Sequence, residues 1–272
     1  MGGDEVEIVR YAEIDEAIAY ILEHIDEPLP LARIATHVGY SPFHFTRIFK
    51  ERIGVPPLYY ASALRLQRAK ELLLKTNLSI RDVGLEIGQQ SLGTFTTRFT
   101  EKVGMTPAQF RHSSLRADGE LLALRLLKEW RKPEIRLGEA FPSIEGHIVP
   151  VTPFDGFVLI GLFAKPIPEG LPIYGTLVRP PFRFSFRNVN PGTYYLMATS
   201  ISWGMKAMDF MLPRETLRTR SRSPIVVKAQ HPVPYQVVAI HPPLPDDPPI
   251  LISLPLLMNR FMREQASQIS NP

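Results

Sequence analysis

SPFHFTRIFKERIGVPP at residues 41–57 and SLGTFTTRFTEKVGMTP at residues 91–107 decide how this chain is read. Laid over one another at an offset of 50 residues, they pair Ser41 with Ser91, Phe45 with Phe95, Phe49 with Phe99, Glu51 with Glu101, Ile53 with Val103, Gly54 with Gly104 and Pro57 with Pro107, and six of these seven pairs are identical. Each copy opens on a serine suited to cap a helix. In the first, Pro42 fits the first helical position. Each copy closes on a glycine, the residue that most readily takes the left-handed conformation ending a helix. A duplicated helix–turn–helix unit is the simplest account of the pattern.

Working outward, apolar residues recur at helical spacing in Ile14, Ile18, Ile21, Leu22 and Ile25, until Asp26 to Pro30 stops the helix. Leu31 to Val38 is a short helix ended by Gly39, and Ser79 to Ile87 is its counterpart ended by Gly88. A longer helix, Leu58 to Lys75, joins the two units through Leu58, Ala61, Leu64, Leu66, Ala69, Leu72 and Leu73. At 1.5 Å per residue it spans about 27 Å. Successive major-groove segments on one face of B-DNA lie about 34 Å apart, so the spacer suits two insertion helices, Pro42–Arg52 and Leu92–Lys102.

Charge supports a polyanionic partner. The net charge of +4 hides a split: residues 1–32 hold one arginine and nine acidic residues, net −8, whereas residues 33–116 hold 13 Lys/Arg and five acidic residues, net +8. The absence of cysteine excludes disulfides, zinc–thiolate sites and cysteine nucleophiles, including the acceptor that alkyl-transfer repair of DNA requires. The acidic N-terminus is no signal peptide, and the longest apolar run, Gly156 to Ala164, falls short of the about 20 residues a bilayer demands. A cytoplasmic protein with no membrane partner is expected. No histidine has a partner at metal-ligand spacing, and neither a glycine-rich phosphate loop nor a Gly-x-Ser-x-Gly nucleophile motif is present. Neither metal, cofactor nor enzymatic activity is therefore expected.

Residues 11–116 resemble the DNA-binding domain of the AraC/XylS family of bacterial transcription regulators. The resemblance rests on LARIATHVGYSPFHFTRIFKERIGVPP, with its Ile-Ala-x-x-Val-Gly-Tyr-Ser and Phe-x-Arg-x-Phe-Lys patterns, and on SIRDVGLEIGQQSLGTFTTRFTEKVGMTPAQFR, with its Gly-x-Thr-Pro-x-x-Phe-Arg ending. The second copy departs at Gln89-Gln90, where Gly-Phe is usual, and at Thr100, where lysine is frequent. The resemblance implies a transcriptional regulator of duplex DNA. It also implies base contacts from Phe43, Thr46 and Arg47 in one groove and from Leu92, Gly93, Thr96 and Thr97 in the next. Ser41, His44, Lys50, Arg52, Ser91, Arg98 and Lys102 are implied as phosphate contacts. Arg47 is the strongest reader, because a guanidinium matches guanine O6 and N7.

Beyond residue 116 the pattern changes. Asp118 to Trp130 reads as a helix; after Pro133 the chain is proline-rich, with strands expected at 157–164, 182–186, 193–198, 225–229 and 236–240. The fold class expected is α + β in separate domains: an all-α unit with two helix-turn-helix motifs (1–116), a helical linker (117–140), a mostly-β sandwich (141–264) and a frayed tail (265–272). PFRFSFRNVNPGTYYLMA resembles a strand–turn–strand of prealbumin-like or carboxypeptidase-regulatory-like sandwiches. Three roles stay open for this half. One is binding of a small-molecule effector, for instance a carbohydrate, with Tyr174, Tyr194, Tyr195 and Trp203 offering stacking surfaces. Another is homodimerisation, leaving an architectural or ligand-independent DNA binder. The third is extra nucleic-acid contact through Arg214, Arg218, Arg220 and Arg222, residues that equally suit protection of an edge strand. Asp246-Asp247 reads as a solvated turn. RNA polymerase is a further partner that this sequence leaves undefined.

Overall fold

A computed structural model of the chain describes residues 12–126, 142–221 and 223–269. Its helical half runs α1 (Ala12–Glu23), α2 (Leu31–His37), α3 (Pro42–Ile53), α4 (Pro57–Lys75), α5 (Ile80–Glu86), α6 (Leu92–Val103), α7 (Pro107–Ser113), a single 3-10 turn and α8 (Ala117–Leu126). The duplication in sequence is a duplication in structure. Ser41 and Ser91 accept from the backbone N–H groups of His44 and Thr94 at 3.4 and 3.3 Å, capping α3 and α6. Gly54 and Gly104 end those helices at φ of 88° and 89°. Inside, Phe49 meets Tyr60 edge-on at 5.6 Å, and its repeat partner Phe99 meets Phe110 at 5.7 Å.

The second half contains β1 (Ile144–Pro150), β2 (Gly156–Phe163), β3 (Tyr174–Val178), β4 (Arg183–Phe186), β5 (Gly192–Ser202), α9 (Ala207–Met211), β6 (Arg218–Arg220), β7 (Ile225–Val227), β8 (Gln236–Ile240) and α10 (Leu254–Ile269). One sheet has the order β4-β1-β8, with β8 parallel to β1; the other is antiparallel, in the order β3-β2-β5-β6, with β7 also pairing β5. Ile144, Ile148, Phe184 and Ile240 of the first sheet share one apolar cluster with Val158, Ile160, Leu162 and Leu196 of the second, so the expected sandwich is present.

The halves do not keep separate cores. Every residue of β2 is buried. Val158, Ile160 and Leu162 face the sandwich interior, while Phe157 and Leu159 belong to a cluster that continues into Ile14, Phe45 and Phe99 of the helical half. A strand apolar on both faces requires cover on both, and the helical half supplies the second. The stretch expected as a linker joins this core where it is described: Leu121 is buried, and Glu120 accepts from Asn259 at 2.7 Å. The remainder of that expectation, including Trp130, lies outside the described residues. Part of the tail expected from Gln265 lies in α10, which runs to Ile269. Its buried Leu254, Met258 and Phe261 recur at helical spacing and anchor it to the shared core. Among the described residues, no helix is long and apolar enough to cross a membrane.

Lys70 of α4 is fully buried in the shared core. Its Nζ donates to the Ile250 carbonyl at 2.9 Å and lies 5.5 Å from the centre of the Phe110 ring. Burial pushes its pKa down to about 7 from an ordinary 10.5, opposed by the neighbouring Glu71 carboxylate. Between these two values the unfolded chain holds a proton that the folded chain lacks, so stability rises with pH across that window. The slope should approach about 1.4 kcal/mol per pH unit. In Lys70→Met this slope should disappear, as read by urea denaturation from neutral to alkaline pH; equal slopes in both proteins would contradict the burial.

Candidate nucleic-acid interface

The outward face of α3 carries Phe43, Thr46, Arg47 and Lys50 at helical spacing. Phe43 is 85% exposed, far beyond what a core phenylalanine shows. Arg47 and Lys50 are exposed as well, whereas Thr46 is half-buried and its hydroxyl donates to the Pro42 carbonyl at 2.8 Å. Arg47 pairs loosely with Glu51 at 3.8 Å, one turn away on the same exposed face. His44, half-buried, lies against Tyr40 with ring centres 4.9 Å apart.

On α6 the equivalent face is formed by Leu92, Gly93, Thr96 and Thr97. Leu92, Gly93 and Thr97 are exposed and Thr96 is half-buried. A side chain added at Gly93 would meet nothing closer than the Ser91 hydroxyl at 3.9 Å. Arg98 is exposed and donates to Gln89 Oε1 at 3.4 Å. The repeat therefore sets Arg47 against Thr97 and Lys50 against Thr100. One outward face is cationic and aromatic; the other is neutral, with Leu92 its large apolar residue.

Arg52 and Lys102, expected as phosphate anchors, are placed elsewhere. They are repeat partners, and the second half of the chain holds both in ion pairs at the far ends of α3 and α6. Arg52 Nη2 lies 2.9 Å from Asp246 Oδ2, and Lys102 Nζ lies 2.5 Å from Glu169 Oε1. Glu169 also accepts from Tyr59 and from Lys165. The helix-end carbonyls are gripped as well: Arg220 Nη1 donates to Ile53 O at 2.9 Å, Ser253 N to Val103 O at 3.0 Å, and Gly170 N to Lys102 O at 2.7 Å. Carbonyls at a helix end lack partners within the helix, so these contacts meet a standing demand. Pro166 packs on Gly54 and Leu256 on Gly104 so closely that a Cβ at either glycine would meet them at 2.7 and 2.6 Å. The same two positions of the repeat are thus clamped by the second half of the chain, through the segment 166–170, Asp246, Arg220 of β6 and the start of α10.

The clamp also corrects the reading of the arginine cluster. Arg218 is buried and the Arg220 side chain is only 7% exposed, facing Asp246; Arg214 pairs with Glu71, and Arg222 lies outside the described residues. Asp246 is no solvated turn residue, since it is buried between Arg52 and Arg220. Sequence reasoning missed Asp246, Glu169 and Arg220 because their partners are far away along the chain. The usable signal was the equivalence of Arg52 and Lys102 in the repeat.

The aromatic residues considered for ligand stacking have structural neighbours. Tyr194 is buried and donates to Asn190 O at 2.8 Å, Tyr174 accepts from Asn190 N at 3.0 Å, and the two rings meet edge-on. Trp203 packs edge-on against Phe157 at 5.2 Å. Tyr195 is half-buried in β5 opposite Phe163. None of the four lines a pocket that opens on the outer face of the antiparallel sheet.

Residues 7–113 match a family model described as a helix-turn-helix domain. The chain is 34% identical over 123 residues to the uncharacterized HTH-type transcriptional regulator YfiF of Bacillus subtilis, covering 45% of this chain and 38% of that protein. It is 31% identical over 140 residues to the right origin-binding protein of Escherichia coli, covering 50% of this chain and 42% of that one. A solved transcriptional regulator with an AraC-type DNA-binding domain, from Chromobacterium violaceum, matches at 34% identity with a TM-score of 0.37, covering 38% of this chain and 91% of that one. The chain thus spans less than half the length of these curated relatives.

Proposed function

We propose that this chain, whose residues 7–113 match a helix-turn-helix family model, regulates transcription by reading duplex DNA with α3 and α6 in successive major grooves. The observation that carries this reading is the matched pair of capped helices. Their outward faces are solvent-exposed, and their far ends are fixed by equivalent contacts to the second half of the chain. The 19-residue α4 between them is about 28 Å long, near the repeat of the duplex.

In this reading Phe43, Thr46 and Arg47 address base edges in one groove, and Leu92, Gly93, Thr96 and Thr97 do so in the next. Ser41, His44 and Ser91 anchor to phosphates around the two N-terminal helix ends, where backbone N–H groups and the helix dipole favour an anion, while Lys50 in the last turn of α3 and Arg98 midway along α6 reach phosphates from the helix flanks. Arg52 and Lys102 take no part, being committed to the clamp. The second half of the chain fixes the spacing of the two helices and passes on the state of an effector site.

Selection of the full chain against a random duplex pool, followed by hydroxyl-radical footprinting on the enriched sequence, tests the proposal. Two protected patches on one face, about 10 base pairs apart, are expected. A single patch would remove α6 from the reading. Failure to enrich any sequence would remove sequence-specific recognition altogether.

A further inference from the structure

The outer face of the antiparallel sheet holds a pocket of about 110 Å³, roofed by the segment around Pro248 and Ile250 and by α10. Its apolar walls include Leu159, Phe163, Met197, Leu257 and Phe261. Side chains alternate across a strand: Arg218 and Arg220 of β6 pair with Thr199 and Met197 of β5 and share their outward face, so both arginines join the pocket wall. Arg260 stands exposed on α10 as a third lining arginine; the carboxylates beside these guanidinium groups are Asp247 in the lining and Asp246, which faces Arg220 and is shared with Arg52. Arg218 donates to Pro213 O, Arg214 O, Thr216 O and Thr216 Oγ1, so all four of these contacts are to neutral oxygens. An apolar chamber with an excess of guanidinium groups suits an anion carried on a small apolar body. At about 110 Å³ the pocket is smaller than a dry cavity of roughly 150 Å³ that takes benzene, so the apolar body it suits is a short branched chain of a few carbons.

Arg220 connects this pocket to the DNA-reading half. It lines the pocket, its Nη1 holds Ile53 O at the end of α3, and its Nη2 lies 3.6 Å from the Asp246 carboxylate that pairs with Arg52. We propose that the pocket binds a small monocarboxylate with an apolar body, and that its occupancy alters DNA affinity by drawing Arg220 away from the end of α3. This rests on the DNA-reading function proposed above. The grip on α6 runs through Glu169 and Ser253 instead, so occupancy changes one helix relative to the other. A coupling of this kind is reciprocal: DNA must change carboxylate affinity by the factor by which carboxylate changes DNA affinity.

Calorimetric titration of the full chain with isovalerate and with its neutral isostere isovaleramide tests the pocket. The carboxylate should bind saturably and the amide roughly tenfold more weakly or not at all, because the charge-assisted hydrogen bonds are lost. Arg260→Gln should weaken carboxylate binding by a similar factor, and Leu257→Trp should abolish it by filling the chamber. Thermal melts of the ligand-free variants establish that each is folded, and if Leu257→Trp does not fold, Arg260→Gln alone decides. Equal binding of acid and amide, no saturable binding of the acid, or unchanged binding by Arg260→Gln overturns the site. Carboxylate binding that leaves the Kd for the enriched duplex unchanged overturns the coupling. A chain that binds the carboxylate but enriches no duplex places the failure in the DNA-reading function and leaves the site standing.

Discussion

Asp246→Ala is expected to lower the stability of the folded chain by about 3–5 kcal/mol, the usual consequence of removing one member of a buried ion pair. The carboxylate side chain is 4% exposed, between Arg52 at 11% and Arg220 at 7%. Its removal leaves guanidinium groups in a site that water cannot readily reach, and the lost stability is mainly the cost of those stranded charges. The shared core adds a second expectation: the chain should unfold in one transition, and the variant should move its midpoint without splitting it. Urea denaturation followed by both tryptophan fluorescence and far-ultraviolet circular dichroism reads both. A change below about 1 kcal/mol, the range of exposed pairs, would mean that the Arg52–Asp246 contact is solvated and that α3 is not braced from outside.

The helical half was legible because its signals are local. Ser41 and Ser91 cap the helix that follows, Gly54 and Gly104 end it within the same stretch, and the phenylalanines four apart lie on one buried face. The β half was legible where alternation was strong, as in Phe182 to Phe186, and where a strand was continuously apolar, as in β2. What escaped was the relation between the halves. The apolar residues of β2 cannot declare which cover they receive, and Arg52 looks the same in sequence whether it faces a phosphate or Asp246, almost two hundred residues away.

Charge illustrates the same limit. The excess of +8 over residues 33–116 read as a surface for phosphates, yet several of those cations have internal duties. Arg65 donates to Ile25 O and Glu27 O, Arg111 to Leu73 O and Leu78 O, and Lys70 to Ile250 O. With Arg52 and Lys102 also committed to the clamp, the cations left on or beside the two outward faces are few, and Arg47, Lys50 and Arg98 stand out among them as exposed. Counting charge along a segment measures a total; only the fold divides it between surface and interior.

That division makes Arg47→Ala the substitution with the largest expected effect on recognition. The loss should be about 1–3 kcal/mol on the enriched duplex, the range for one bidentate arginine–guanine pair, or roughly 5- to 150-fold in Kd. It should also relax preference at one base position. The pairing of Arg47 with Glu51 does not stand in the way: both side chains are more than half exposed and 3.8 Å apart, and such pairs contribute about 0–1 kcal/mol, so exchange of Glu51 for a base edge is favourable. Lys50→Ala provides the contrast. A phosphate contact should weaken all sequences alike and lower the slope of log Kd against log salt by about 1. Thr97→Ala, at the repeat position of Arg47, should cost less than Arg47→Ala because a hydroxyl has no fork to offer guanine. If Arg47→Ala and Lys50→Ala gave the same uniform, salt-dependent loss, Arg47 would be an anchor and the base-reading face of α3 would have to lie elsewhere. If Thr97→Ala proved the costlier of the repeat pair, the division of labour between the two helices would be reversed.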